Sequence, residues 1–357
     1  MRRLPAVVSL ASTTAGGMEE RRQSRPWASR GLTGSSDRRK LSLMAEPLVS
    51  IVTPAHNGAE HLAECIESVV GQTYSNWEYV VVDNCSSDRT PDIVTSFARS
   101  EPRIRYQRFE DFVDVIPSYN RAFAAIGVDS RYCKVVGADD LLYPECVERM
   151  VAVAEAHPTV GLVSARRRRG ELVDLTGMPD GEAVLPGRVI LRQSLLCSVS
   201  VIGSATSLLF RSELMRGREP FFDMSFRHAD TEAAYWALSQ SDFGHVPEIL
   251  TFTRLSVAGQ GARSVGLNSH RADRVRMLLR YGPTTLSAQE YRRQLRYELR
   301  QYVWWLFKQR LKPSRRHDGT LSAFHRCVVD RMSAEAGTDP DVRRAAAVIP
   351  YLLPGGH

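Results

Sequence analysis

Acidic side chains directly follow two apolar runs of the sequence. The run 79–82 leads into Asp83, and the run 133–138 leads into the pair Asp139 and Asp140. In an open α/β sheet, ligands bind beyond the carboxyl ends of the strands, so carboxylates in these positions can meet a ligand. Aspartate also favours turns and caps after strands, and for Asp83 the sequence leaves that alternative open.

The adjacent acids Asp139 and Asp140 indicate a cation site. Like charges side by side repel each other unless a cation joins them. Mg²⁺ or Mn²⁺ suits such a pair, because these hard ions take one or two protein carboxylates and complete their shell with phosphate oxygens and water. The sequence therefore predicts a Mg²⁺ or Mn²⁺ cofactor beside a phosphorylated ligand.

The segments that hold these acids alternate between strand and helix from Leu48 onward. Asn57 can cap the first helix, and Thr90 followed by Pro91 opens the second. Buried strands are predicted over 48–53, 78–82, 104–107, 132–136, 160–164 and 206–210. The alternation predicts an α/β fold with a mainly parallel, open sheet flanked by helices.

Three motifs resemble the family 2 glycosyltransferases, which are inverting enzymes with a GT-A fold. They are VSIVTPAHNG at 49–58, YVVVDNCSSDRT at 79–90 and VGADDLLYP at 136–144. They occur in the order and spacing of that family, and the resemblance covers about 48–255. It implies a GT-A-type sheet and the transfer of a sugar from a nucleotide-diphosphate sugar to an acceptor hydroxyl.

The resemblance also implies roles for residues at the sheet edge. Pro54 and His56 would line the nucleobase pocket, with His56 standing where the family usually has tyrosine. Asp83 would accept a hydrogen bond from the base. Asp139 would hold the ribose or assist the metal, and Asp140 would ligate the metal that bridges the diphosphate.

Two further assignments rest on the same resemblance. Asn120 lies in the helix before the acidic pair, which the family packs near the donor. Some relatives carry a metal-binding histidine after the last strand, where this chain has Ser256. Water or His228 could take the place of that ligand.

The general base should lie at the start of a helix beside the acceptor, where the family often has Glu-Asp. The segment 227–236 fits that context and Asp230 matches the aspartate, but Ala229 replaces the preceding glutamate. A slip in register would make Glu232 the base, and Asp230 could also be a plain helix cap. We expect Asp230 to take the proton of the acceptor hydroxyl in a single inverting step.

The chain is expected to comprise three regions. Residues 1–46 form an Arg- and Ser-rich leader that we expect to be disordered, and translation could begin at Met44. Residues 47–260 would form the GT-A domain, and residues 261–357 a basic helical region.

Composition restricts the location and the partners of the chain. No apolar run approaches the length needed to cross a bilayer. The six cysteines are scattered without metal-binding spacing, which indicates a reducing, cytoplasmic compartment. The net charge of +7 suits nucleic acid, a nucleotide diphosphate or an anionic membrane face.

Two basic segments have open interpretations. The four arginines at 166–169 could clamp an acceptor phosphate or simply be solvated. The aromatic and basic helix around Trp304 could lie on an anionic membrane, at its inner face, where lipid-linked acceptors would be found. Packing of Trp304 and Trp305 against the catalytic domain is the alternative.

The best-supported function is a metal-dependent glycosyltransferase of cell-envelope polysaccharide or glycolipid synthesis. A UDP-sugar donor is favoured only through the resemblance, and the acceptor would be a carbohydrate or a lipid-linked molecule. A non-catalytic sugar-nucleotide-binding protein of the same fold is the alternative, since fold does not fix function. Nucleic acid is not expected as a partner, because only the C-terminal helix combines basic and aromatic residues.

Overall fold

The computed structural model describes residues 46–178, 181–197, 201–255, 266–312 and 319–353. Ser256 and Met44 lie outside these residues, so the expectations about a missing metal ligand and about the start site have no structural counterpart here. The described chain from Glu46 onward forms a single compact unit.

A mixed β-sheet forms the centre of the fold. Its strands are β1 (Val49–Ala55), β2 (Trp77–Asn84), β3 (Ile104–Phe109), β4 (Tyr132–Val135), β5 (Leu141–Leu142), β6 (Val160–Arg169), β7 (Leu172–Asp174), β8 (Val184–Leu185), β9 (Leu208–Arg211) and β10 (Asp242–Thr253). They lie in the order β3-β2-β1-β4-β9-β6-β10-β5, and the short strands β7 and β8 pair with β6 and β10 outside this path.

The pairing is parallel among β1, β2, β3 and β4, and between β6 and β10. Strand β9 runs antiparallel to both of its neighbours, β4 and β6, and so joins the two parallel parts. The expected fold class, an α/β sheet flanked by helices with a helical C-terminal region, is confirmed.

Helices cover both faces of the sheet, and its central strands are therefore buried on both sides. In β1, Ile51 packs on one face and Val52 on the other, as the two-residue period of a strand requires. The helices before the C-terminal region are α1 (Leu62–Val70), α2 (Thr90–Ser100), α3 (Val115–Ala124), α4 (Cys146–Ala156), α5 (Gly187–Leu195), α6 (Ser212–Arg216) and α7 (Ala229–Gln240). The sequence analysis did not predict α5, although its buried residues Ile190, Leu191, Ser194 and Leu195 recur at helical spacing.

The C-terminal region is helical, as predicted. Its helices are α8 (Ser269–Thr285), α9 (Ala288–Arg310), α10 (Gly319–Ala336) and α11 (Pro340–Leu352). Within the described residues, no helix is long and apolar enough to cross a membrane.

Candidate active site

A cleft of roughly 460 Å³ opens at the carboxyl ends of β1, β2 and β4. The loop after β1 forms one wall, the acidic turn after β4 forms another, and the start of α3 closes the third side. Its lining includes Pro54, His56, Asn84, Phe112, Tyr119 and Asp139. The sheet edge that the sequence predicted as the ligand site therefore carries a cleft.

Polar side chains of the second motif hold the loop after β1 in place. The backbone amide of Asn57 donates to Ser86 Oγ over 2.9 Å, and that of Gly58 donates to Thr90 Oγ1 over 2.9 Å. In return, Asn57 Oδ1 accepts a hydrogen bond from the Ser87 amide over 2.8 Å. Asn57 has a left-handed backbone with φ of 50° and does not cap α1, whose first residue lies five positions later. The expected capping role of Asn57 is therefore wrong, because its side chain binds the neighbouring loop.

His56 and Phe112 form an exposed aromatic pair at the rim of the cleft. Their ring centroids are 4.7 Å apart with an interplanar angle of 56°, and Phe112 is 60% exposed. His56 Nδ1 lies 2.8 Å from the Asn84 carbonyl oxygen and so must carry the proton. Its Nε2 can then accept from the side-chain Nδ2 of Asn57, 3.3 Å away. Because the two rings are inclined to each other, a planar base can stack on one of them and meet the other at an angle.

Asp83 lies beneath this end of the cleft and is fully buried. Its Oδ1 accepts a hydrogen bond from the Ser86 amide over 2.9 Å, and its Oδ2 accepts one from the Tyr106 hydroxyl over 2.6 Å. Arg108 Nη1 is 3.6 Å from Oδ2. Asp83 thus shapes the turn after β2 and does not line the cleft, and its contact with a base stays a prediction.

The acidic pair separates into one exposed and one buried carboxylate. Asp139 is exposed and lines the cleft, whereas Asp140 is only 6% exposed. Asp140 Oδ2 accepts a hydrogen bond from Thr206 Oγ1 over 2.5 Å, and Oδ1 accepts one from the Arg254 amide over 3.2 Å. Burial, and secondarily the charge of Asp139, raises the pKa of Asp140 to about 6.

The turn that holds this pair has little spare room at Gly137. A Cβ atom there would lie 3.1 Å from Asp140 Oδ2 and 3.3 Å from Asp139 Oδ1. The Gly137 amide also donates to Thr206 Oγ1 over 3.0 Å. Sequence reasoning missed Thr206, which fixes Asp140 from 66 residues away in the chain, and no local pattern could have identified it.

Asp230 lies in the first turn of α7 and is partly exposed. Its Oδ1 accepts a hydrogen bond from the Thr231 amide over 2.8 Å, and Oδ2 has no partner among the described residues. Burial raises the pKa of Tyr119, and the charges of Asp140, Asp230 and Asp139 raise it further. Tyr119 and Asp139 line the cleft, whereas Asp140 and Asp230 are not among its lining residues.

Glu232, the alternative base, is fully buried. Its carboxylate contacts Arg218 Nη2 at 2.7 Å, Arg280 Nη1 at 2.9 Å and the Tyr281 hydroxyl at 2.5 Å. An acceptor hydroxyl cannot reach a carboxylate enclosed in this way. The geometry therefore favours Asp230 over Glu232 as the accessible acid of this helix turn.

His228 precedes α7, and its Nδ1 lies 3.0 Å from Asp273 Oδ2. Burial lowers the pKa of His228, but the hydrogen bond to Asp273 and the charge of Asp230 outweigh burial and raise it overall. No group of three His, Cys, Asp or Glu side chains that could hold a metal exists within the described ranges. His228 as a replacement metal ligand stays a prediction.

Asn120 does not line the cleft. Its Nδ2 donates to the Phe222 carbonyl oxygen over 2.8 Å, and its Oδ1 accepts a hydrogen bond from the Phe222 amide over 2.8 Å. Both halves of the amide are thus used on one residue of the segment that leads to α7. Asn120 thus joins α3 to the segment that precedes Asp230, and its contact with the donor stays a prediction.

The arginines at 166–169 continue β6, and most of them are ion-paired. Arg167 binds Asp174 with two hydrogen bonds of 2.9 and 2.8 Å. Arg168 Nη2 lies 2.9 Å from Glu171, and Arg169 Nε lies 3.7 Å from Asp174. These contacts within a strand pair favour a structural role over a phosphate clamp.

A smaller cavity of roughly 240 Å³ adjoins the cleft and shares Asp114 with it. Its lining includes Arg227 and Arg331. Arg331 Nη1 donates to the Ser225 carbonyl oxygen. The Arg227 guanidinium lies 5.7 Å from the centre of the Phe324 ring and has no carboxylate partner in the described part of the chain. Asp114 and Asp273 also line this cavity, so an acidic or phosphorylated group would have to bind at the guanidinium groups and away from these carboxylates.

Comparison with known proteins agrees with the resemblance. Residues 50–217 match the family model "Glycosyl transferase family 2". The putative teichuronic acid biosynthesis glycosyltransferase TuaG of Bacillus subtilis (strain 168) is 28% identical over 106 residues, which cover 30% of this chain and 41% of that relative. The matched segment thus spans about two fifths of that relative's length.

Solved structures show the same fold. TarS 1–349 of S. aureus, in complex with UDP-GlcNAc, superimposes with a TM-score of 0.57 at 15% identity, covering 84% of this chain and 88% of that one. Mannosyltransferase PcManGT of Pyrobaculum calidifontis, in complex with GDP-Man and Mn²⁺, gives a TM-score of 0.50 at 16% identity, covering 85% and 79%. The GT-A fold predicted from the motifs is confirmed.

Proposed function

We propose that this chain transfers a sugar from a nucleotide-diphosphate sugar to an acceptor hydroxyl with inversion. Its residues 50–217 match the glycosyl transferase family 2 model, whose members transfer sugars. One observation supports this above all others: a single cleft is lined both by the His56–Phe112 aromatic pair and by the exposed carboxylate of Asp139. Such a cleft suits a ligand with a flat base, a diphosphate and a reacting sugar.

The donor would bind with its base at the His56–Phe112 pair and its diphosphate beside Asp139. Stacking on aromatic rings contributes about 0.5–1.5 kcal/mol beyond burial of area. A UDP-sugar is our preferred donor, and the UDP-GlcNAc complex of a protein with this fold supports that choice. The GDP-Man complex of another keeps guanine within the scope of the test.

The two adjacent carboxylates of the acidic turn suit a divalent cation that binds together with the nucleotide. Asp139 and Asp140 are adjacent carboxylates, and the raised pKa of Asp140 reflects a buried acid that a cation would stabilise in its charged form. Because the described residues offer no third side-chain ligand, Mg²⁺ or Mn²⁺ would complete its shell with diphosphate oxygens and water. When bound, such an ion stabilises the negative charge of the departing nucleoside diphosphate.

Asp230 would act as the general base. Its free Oδ2 takes the proton of the acceptor hydroxyl while the acceptor oxygen forms a bond to the anomeric carbon. The bond from that carbon to the diphosphate oxygen breaks, and its electron pair leaves with the diphosphate. Attack from the face opposite the leaving group inverts the anomeric centre.

The acceptor would approach from the side of the smaller cavity, next to the start of α7. Arg227 and Arg331 suit an acceptor that carries a phosphate or a carboxylate, as a growing envelope polysaccharide or a lipid-linked sugar does. TuaG is named for teichuronic acid biosynthesis, which supports a cell-envelope role for this chain. All six cysteines are free, in keeping with a cytoplasmic location.

A donor screen tests the proposed function. Purified full-length protein is incubated with Mn²⁺ and UDP-, GDP- and dTDP-sugars, and the release of nucleoside diphosphate is measured with and without carbohydrate acceptors. We expect one donor to be turned over faster when an acceptor is present. Tight donor binding with no release under any condition would instead favour the non-catalytic alternative.

A further inference from the structure

The outer face of α9 and α11 exposes an unusual number of large apolar side chains. Trp304 is 52% exposed and Tyr351 65% exposed, although both lie within regular helices. The exposed large apolar residues of this face are Tyr297, Trp304, Phe307, Leu311, Val348 and Tyr351. Single exposed apolar residues need no explanation, but a group on one face indicates an interaction surface.

These residues form a stripe along α9. Tyr297, Arg300, Trp304, Phe307 and Leu311 follow one another at intervals of three or four residues, which brings them to one side of the helix. From the first to the last, the stripe extends about 21 Å at 1.5 Å per residue. The rings of Trp304 and Phe307 are stacked, with centroids 5.6 Å apart.

The opposite side of α9 is already covered. Leu295, Tyr302 and Leu306 belong to a hydrophobic core that α9 shares with α8, α10 and α11. Trp305 also points inward, where its ring lies 5.7 Å from that of His325. The two adjacent tryptophans therefore differ: Trp305 packs within the C-terminal helices, and Trp304 faces outward.

Basic side chains surround the outward face. A groove of roughly 860 Å³ between α9 and α11 is lined by Arg296, Arg300 and Arg344, with Asp341 as its acid. Arg296 Nε pairs with Asp341 Oδ2 over 2.7 Å, whereas Arg300 has no acidic partner in the described ranges. Lys308 Nζ lies 5.1 Å from the centre of the Trp304 ring. The surface is thus aromatic in its middle and positively charged around it.

We propose that this face of α9 and α11 docks the protein on an anionic lipid bilayer. An interfacial helix combines Trp, Phe and Leu on one side with Lys and Arg that reach the headgroups, and the charges here complement an anionic surface. The aromatic rings enter the boundary between headgroups and acyl chains, while the basic side chains extend their charged ends to lipid phosphates. This docking needs neither donor nor metal, so it stands apart from the proposed transfer reaction.

Vesicle co-sedimentation of the full chain tests the proposal. Vesicles of phosphatidylcholine alone are compared with vesicles that also contain phosphatidylglycerol. We expect binding only to the anionic vesicles, weakening as salt is raised, because screening shortens the range of the attraction. Arg300→Gln should weaken partitioning about fivefold, the effect of one basic residue near such a surface. Trp304→Ser should weaken it as well and should abolish the blue shift of tryptophan fluorescence.

Matched controls separate this face from general charge and hydrophobicity. Arg188→Gln and Leu172→Ser change an exposed arginine and an exposed leucine outside the C-terminal helices, and neither should alter partitioning. Equal binding to neutral vesicles, or unchanged binding of Arg300→Gln and Trp304→Ser, would overturn the proposal. So would a dimer in vesicle-free solution that Trp304→Ser dissociates, since the face would then bind a second copy of the chain.

Discussion

At the scale of single residues, Asp230 and Glu232 lie two positions apart yet differ in burial and in the partners of their carboxylates. Glu232 is fully buried and bound by Arg218, Arg280 and Tyr281. Asp230 is partly exposed and leaves Oδ2 without a partner in the described part of the chain. A base must reach the proton that it removes, so accessibility decides between them.

Replacement of Asp230 by asparagine tests this assignment. We expect Asp230→Asn to lower turnover by about 10²–10⁴-fold, because the amide cannot take a proton, while donor affinity stays nearly unchanged. Asparagine still accepts the hydrogen bond of the Thr231 amide, so the thermal midpoint should hold. Steady-state kinetics and calorimetry with the nucleotide measure both quantities.

Glu232→Gln is the matched control, and its effect should be on stability. It removes a charge that faces two arginines, so the thermal midpoint should fall, because breaking a buried pair leaves charges uncompensated. An active Asp230→Asn together with a folded but inactive Glu232→Gln would move the base to Glu232.

Asp140 combines poor solvation with a predicted role as metal ligand. Its pKa is raised from 3.8 to about 6, so the folded chain holds this proton more tightly than the unfolded chain does. The stabilising effect of the protonated form is therefore complete below about pH 4 and is lost as the pH rises through about 6. Near neutral pH the ionised carboxylate destabilises the metal-free fold.

Asp140→Asn should therefore stabilise the metal-free protein and at the same time remove metal-dependent donor binding. Asparagine can accept from the Arg254 amide with Oδ1, and its Nδ2 can donate to Thr206 Oγ1 once the Thr206 hydroxyl turns its own proton away. In EDTA near pH 7.5 we expect the free energy of unfolding to rise by about 1–3 kcal/mol, with the gain vanishing near pH 4. Urea unfolding at both pH values and calorimetry with UDP and Mn²⁺ measure the two effects.

The exposed neighbour offers a control for the stability effect. Asp139→Asn should change the free energy of unfolding much less, because Asp139 is exposed and its charge is only a secondary cause of the raised pKa of Asp140. Unchanged Mn²⁺-dependent UDP affinity in Asp140→Asn would rule it out as a ligand.

At the scale of elements, the cleft depends on loops that hold each other. The loop after β1 is fixed by polar side chains of the loop after β2, and the segment before α7 is fixed to α3 by Asn120. The same helix α3 therefore contributes Tyr119 to the cleft and holds the segment that leads to Asp230. A change in this link should act on the position of α7 without any contact with the nucleotide.

Asn120→Asp separates a structural link from a donor contact. One oxygen can still accept from the Phe222 amide, but the other would face the Phe222 carbonyl oxygen. We expect a loss of about 1–3 kcal/mol in the free energy of unfolding, the usual result of leaving a buried group unsatisfied. Nucleotide affinity of the folded protein should stay the same in calorimetry, and a large loss of affinity with unchanged stability would instead support the predicted donor contact.

At the scale of the whole molecule, the C-terminal helices share their cores with the sheet. From α8, Met277, Leu278 and Tyr281 enter the hydrophobic cluster on the α7 side of the sheet, whereas Val275 and Leu279 enter the cluster of the C-terminal helices. Ion pairs also connect α8 both to α7 and to the C-terminal helix α10. Arg280 of α8 binds Glu232 of α7 over 2.9 Å and Glu335 of α10 over 3.3 Å.

A chain that ends at residue 265 should therefore fail to fold. Each large apolar side chain removed from a core costs about 2–5 kcal/mol, so losing the three from α8 removes as much as the 5–15 kcal/mol by which domains are stable. We expect aggregation, or a molten state that binds the dye ANS and lacks near-UV circular dichroism. A chain that begins at Met44 is the control and should keep the thermal midpoint of the full protein. Cooperative unfolding of the shortened chain would instead support an independent domain over 47–260.

Short-range patterns in the sequence determined much of the architecture. Apolar runs encoded β1, β2 and β4, and because parallel strands end at the same edge, the acid pair after β4 could be expected beside the loop after β1. The motif at 79–90 indicated the family, and its hydrogen bonds to the backbone at 57–59 now give that motif a physical reason. The sequence also predicted the pattern of basic and aromatic residues along α9.

Only the tertiary structure decided which of these side chains are accessible. Glu232 is buried because Arg280, 48 residues away, comes to lie beside it, and Asn120 is occupied by Phe222, 102 residues away. Asp83 and Asp139 both follow apolar runs. Asp83 is buried and accepts a hydrogen bond from the Tyr106 hydroxyl, whereas Asp139 lines the cleft. A residue's type and spacing fix what it can do, but burial and pairing depend on partners distant in the chain, and these meet only when the chain folds.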